Sequence, residues 1–67
     1  MNFFSDNFKK LRIEAGKSQL ELAKEFNCSQ RRISHLECGT IVPDINALIE
    51  IAKYFEITID ELVMYKY

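Results

Sequence analysis

The stretch Ser18 to Gly39, SQLELAKEFNCSQRRISHLECG, reads as two short helices joined by a tight turn, and the rest of the chain reads as the scaffold that holds it. The first helix of the pair runs from about Gln19 to Phe26 and the second from Gln30 to Cys38. At about 100° per residue, the second helix turns Ile33 and Leu36 to one side and Gln30, Arg31, Ser34 and His35 to the other. No acid stands among those four. An apolar back with a front of Gln, Arg, Ser and His suits the major groove of DNA, where base edges present donors and acceptors. Arg31 is matched to guanine O6 and N7 and Gln30 to adenine, His35 to guanine or a thymine methyl, and the small Ser34 permits close approach. Arg32, Gln19, Ser29 and Thr40 are the candidates for phosphate.

Local signals place the other elements. Phe4, Phe8, Leu11 and Ala15 recur on one helical face, behind an expected N-cap at Ser5 and ahead of a left-handed end at Gly16. Ser18 with Glu21, and Thr58 with Glu61, are capping boxes. Leu22, Ala23 and Phe26 form a buried stripe, and Leu20 points away from it. Asn27 suits a left-handed turn, Ser29 caps the next helix, and Gly39 ends it. Its exposed hydroxyl and the free N–H groups behind Ser29 suit a phosphate. Pro43 forbids helix at Val42, and Asp44 caps a fourth helix from Ile45 to about Phe55. Ile45, Leu48, Ala52 and Phe55 are its expected core face, widened by Ile49 and Ile51. A short fifth helix offers Ile57, Ile59 and Leu62 to the core. Val63, Met64, Tyr65 and Tyr67 are then surplus, and a contiguous apolar patch marks an interface.

Sixty-seven residues make one domain, 1–67, of marginal size. No segment approaches the roughly 18 apolar residues of a membrane helix, and the N-terminus is too polar for a secretory signal, so a soluble cytoplasmic protein is expected. Charge is uneven: residues 1–41 carry seven Lys/Arg against five acids (+2), and residues 42–67 carry two against five (−3). The positive part coincides with the helix pair. Cys28 and Cys38 flank a helix ten residues apart, roughly 15 Å, well beyond the about 7 Å a disulfide spans. Cys28 is likewise too far from His35 and Cys38 to share a zinc ion with them, and no cofactor or metal is expected. With a single histidine, no nucleophile paired to a base, and glycine only at 16 and 39, catalysis is not expected.

The blocks LR-x4-KSQLELA, S-x3-IS-x-LE-x-G and P-x4-LIEIAKYF-x-I-x-IDEL occur in order over roughly Phe8 to Val63. In this the chain resembles the Cro/C1-type (xenobiotic response element, XRE) helix-turn-helix domains. The resemblance implies a compact five-helix, all-α, lambda-repressor-like domain. It implies a homodimer bound to double-stranded DNA at a palindromic operator. It matches the base-reading positions to Gln30, Arg31, Ser34 and His35, and the phosphate-bonding glutamine to Gln19. It also pairs Arg12 with Glu37 as a partly buried salt bridge. Three departures reduce the expected phosphate contacts: Asn27 where glycine is usual, Cys38 before Gly39, and a following loop without Lys or Arg. Such a domain is expected to act as a repressor controlled by concentration and dimerisation through Ile59, Val63, Met64, Tyr65 and Tyr67, without a small-molecule effector. Glu21 and Glu25 are the acids an activator would present. The competing reading is an antitoxin-like protein-interaction module that uses the C-terminal apolar patch.

Overall fold

The computed structural model describes residues 3–64. Five helices follow one another: α1 (Phe4–Glu14), α2 (Gln19–Glu25), α3 (Gln30–Cys38), α4 (Ile45–Phe55) and α5 (Ile59–Val63). There is no strand among the described residues. The core takes Phe4 and Phe8 from α1, Leu22 and Ala23 from α2, Ile33 and Leu36 from α3, Ile51 and Ala52 from α4, and Leu62 from α5. The Phe8 ring sits at its centre. It stacks on Phe4 at 5.3 Å between ring centroids and meets Phe26 at 6.5 Å and Phe55 edge-on at 6.4 Å. The polar core residue Asn7 donates from Nδ2 to the Leu62 carbonyl at 2.9 Å, tying α1 to α5.

Side-chain caps start four of the helices. Ser18, Ser29, Asp44 and Thr58 each accept from the backbone N–H three residues on, and Ser18–Glu21 and Thr58–Glu61 close reciprocal capping boxes. The ends of α1 to α4 share one device. A left-handed residue (Gly16, Asn27, Gly39 or Glu56) is followed by an N–H bonded to the carbonyl five residues back. This turn satisfies carbonyls that the last helical turn leaves open.

Four sequence expectations are corrected. Ser5 is not a cap: α1 starts at Phe4 behind Phe3, which makes no side-chain cap bond. The Phe3 N–H instead donates to the Val63 carbonyl at 2.9 Å, and helix at Phe4 is what stacks its ring on Phe8. Ala15 is exposed because it lies past the last residue of α1. Ile45 is 61% exposed, whereas Ile51, expected only to flank the stripe, is buried with Ala52. Helix α4 carries apolar residues around most of its circumference, so packing against α5 and the aromatic cluster, rather than periodicity, chose its inner face. Phe26, expected in a buried stripe, is half-buried at the end of α2, with its ring 4.9 Å from Tyr54.

Candidate nucleic-acid interface

Helix α3 is held from three sides. Ser29 Oγ accepts from the Arg32 N–H at 3.1 Å, and the left-handed Gly39 (φ 78°) closes the other end. Ile33 and Leu36 are buried beneath it. At the edge of that face, Glu37 is a buried acid with three donors. Arg12 gives it two bonds, Nε to Oε2 at 2.5 Å and Nη2 to Oε1 at 3.1 Å, and Gln19 Nε2 gives a third to Oε1 at 3.1 Å. Arg12 Nη1 also donates to the Lys17 carbonyl at 2.8 Å. One carboxylate therefore fixes α3 against α1 and against the first turn of α2. Burial of such a charge is tolerated because both of its oxygens are bonded.

The opposite face of α3 is open. Gln30, Arg31 and Arg32 are exposed, and Ser34 and His35 are half-exposed. No acid projects from this face, and Glu37 is turned inward. Two of these groups form a chain with Thr40: Arg31 Nε donates to His35 Nε2 at 3.3 Å, and His35 Nδ1 lies 2.6 Å from Thr40 Oγ1. The Thr40 hydroxyl and N–H both reach the His35 carbonyl, at 3.3 and 3.1 Å. The i, i+4 spacing of Arg31 and His35 is legible in the sequence; the return of Thr40 over the helix end is not.

Among the phosphate candidates, Arg32 and Ser29 are exposed at the start of α3, Thr40 is exposed at its end, and Gln19 is half-buried where it braces Glu37. Cys28 and Cys38 are free thiols. Burial pushes the Cys28 thiol up, with Arg32 drawing it back in part. Among the described residues no group of three His, Cys, Asp or Glu side chains is placed to share a metal ion. At the C-terminal end, Ile59 and Val63 are half-buried against the chain's own core, and Met64 is 64% exposed. Tyr65 and Tyr67 lie outside the described residues.

A second network was not foreseen. Tyr54 donates from its hydroxyl to Glu25 Oε1 at 2.7 Å, and Lys17 Nζ lies 2.9 Å from Glu25 Oε2. Glu25 is lowered by the Tyr54 and Lys17 hydrogen bonds, while Tyr54 and Lys17 are raised by theirs to Glu25. Glu21, bonded by the Ser18 N–H, is also lowered. Both acids of α2 are thus engaged within the chain. No helix among the described residues is long and apolar enough to cross a membrane.

Comparison with known proteins agrees with this geometry. A family model described as helix-turn-helix matches residues 8–62. Over 60 residues the chain is 35% identical to the HTH-type transcriptional activator BcrR of Enterococcus faecalis, an alignment covering 90% of this chain and 29% of that protein. A crystal structure of a transcriptional regulator from Listeria innocua superposes with a TM-score of 0.89 at 34% identity, covering 100% of this chain and 63% of that one. The chain thus spans less than two thirds of the length of either relative. With α2 and α3 as its helix pair, the chain belongs to the Cro/C1-type (XRE) helix-turn-helix family of DNA-binding transcriptional regulators.

Proposed function

We propose that residues 1–67 act as one DNA-reading unit, a sequence-specific transcriptional regulator that binds a palindromic operator as a homodimer in the cytoplasm. The observation that carries this reading is the acid-free outer face of α3, on a helix fixed from behind by Glu37. Gln30, Arg31, Ser34 and His35 face the bases. Arg32, Ser29 and Gln19 lie where phosphates would pass, and Thr40 stands at the end of α3 beside His35. Dimerisation through Ile59, Val63, Met64, Tyr65 and Tyr67 would set the two α3 helices about 34 Å apart, one turn of the duplex. Repression by occupancy is the favoured mode, because Glu21 and Glu25 already pair within the chain, with Ser18, Lys17 and Tyr54, and so offer a weaker acidic patch to a polymerase. Control then follows concentration and dimerisation, without a small-molecule effector. The name of the Enterococcus relative favours activation as the second reading. A reporter driven by the selected operator separates the two by the sign of its response.

Selection from a randomised duplex pool tests the function itself. A palindromic site is expected to emerge, bound by a dimer in light scattering. Arg31→Ala is expected to relax preference at one base pair of each half-site by about 1–3 kcal/mol. A uniform loss over all sequences would make Arg31 a phosphate ligand. Failure to bind any duplex at low salt, with a protein partner captured through the C-terminal patch, would favour the interaction-module reading.

A further inference from the structure

We propose that Thr40 and His35 are positioning residues for Arg31: the turn that ends α3 and the arginine together fix one histidine tautomer, and the histidine, braced by Thr40, holds the arginine in its reading orientation. This rests on the DNA-reading function proposed above. The argument is a count of protons. Arg31 Nε always carries a hydrogen, so His35 Nε2, 3.3 Å away, must accept and be bare. A neutral ring then carries its proton on Nδ1, which donates to Thr40 Oγ1 at 2.6 Å. The single hydroxyl proton of Thr40 is left for the His35 carbonyl at 3.3 Å. The other tautomer would set N–H against N–H between Arg31 and His35. One arrangement satisfies all three contacts.

Gly39 makes the circuit possible. Its left-handed backbone (φ 78°) folds Thr40 back so that the Thr40 N–H also bonds the His35 carbonyl at 3.1 Å. A side chain at Gly39 would be strained by that backbone and would stand 3.2 Å from Ser5 Oγ. With its hydroxyl proton and N–H both given to His35, Thr40 has no donor left for a phosphate. It acts on recognition through Arg31. Holding a long side chain in place before binding avoids an ordering cost otherwise met in the complex, an effect of about two- to tenfold in affinity for the base it reads.

The test combines ring-nitrogen NMR of the free protein with selection from a randomised duplex pool. His35 is the chain's one histidine, so its resonances are unambiguous. Wild type is expected to show a proton-bearing Nδ1 and a bare Nε2, and Thr40→Val to lose that preference. Thr40→Val is further expected to weaken discrimination about two- to tenfold, but only at the base pair that Arg31→Ala affects. It should add nothing in the Arg31→Ala background, and Thr40→Ser should restore wild-type behaviour. An Nε2-protonated ring in wild type overturns the proposal. So does a Thr40→Val loss that is equal across all sequences and lowers the salt dependence, because that marks a phosphate contact. A wild-type protein that enriches no duplex removes the DNA reading instead, while the ring nitrogens still show whether the relay exists.

Discussion

Glu37 is 8% exposed, and its charge is the reason the outer face of α3 points where it does. Arg12 and Gln19 hold it from α1 and α2, so the helix that carries Arg31 cannot roll without breaking three hydrogen bonds. Removing Arg12 while Glu37 remains strands a buried carboxylate. Arg12→Met is expected to destabilise the chain by about 3–5 kcal/mol, and pairing it with Glu37→Met to recover most of that loss. Chemical denaturation of the two single variants and the double variant checks this. A double variant as unstable as the sum of the singles would show that the charges matter only as separate contacts. The resemblance pointed to this pair, and the helical wheel placed Glu37 at the edge of the buried face. The Thr40–His35–Arg31 chain was less legible. Residues four apart on a helix are visible in a sequence, but a contact across a left-handed turn depends on the backbone beyond it.

At the scale of elements, capping chemistry carried most of the information. Ser18, Ser29, Asp44 and Thr58 each act as an N-cap, because a short polar side chain before a helix has one favourable use. The start of α1 was hidden, since it depends on a bond from Phe3 to Val63, sixty residues along the chain. The inner face of α4 was ambiguous for the opposite reason, an excess of apolar residues. The end of α4 was the least visible. Glu56 adopts the left-handed conformation (φ 57°), which the sequence EIT does not announce. A residue with a Cβ is strained there by roughly 1–2 kcal/mol, partly offset in a Gly variant by a more flexible unfolded chain. Glu56→Gly is therefore expected to stabilise the protein by about 0.5–1 kcal/mol. In a chain of this size that raises the melting temperature by several degrees, since each kcal/mol shifts it by about 4–8 °C. A lower melting temperature would mean that the Glu56 side chain makes a contribution larger than its backbone strain.

The whole molecule joins its parts by charge as well as by packing, and pH and salt address the two separately. Tyr54 on α4 and Lys17 before α2 meet on Glu25, an arrangement between residues 29 positions apart that no local pattern foretells. The Glu25 carboxyl is held below its ordinary 4.5, so its contribution exists above that value and fades as pH falls through the lowered one. Tyr54 and Lys17 are raised above 10.0 and 10.5, so their contribution is complete below pH 10.0 and fades as pH climbs through the raised values. Melting curves are expected to fall more steeply above pH 10.0 for wild type than for Tyr54→Phe, which keeps the ring and lacks the hydroxyl proton. Parallel curves would remove the cluster from the alkaline limb. Salt addresses the binding face. Residues 1–41, which hold the helix pair, carry +2 and residues 42–67 carry −3, so attraction to a duplex is local. The loop Thr40–Asp44 has no cation, so in the proposed homodimer Arg32, with or without one neighbouring Lys, is the expected phosphate ligand of each protomer. Two to four neutralised phosphates per dimer correspond to a log–log slope of affinity against salt of roughly −2 to −4. Anisotropy titrations of the selected duplex over a salt series measure it directly, and Arg32→Ala is expected to flatten the slope by about 2, one unit per protomer. A slope near −8 would place lysines of α1 against the backbone as well, and one near zero would remove phosphate from the interface altogether.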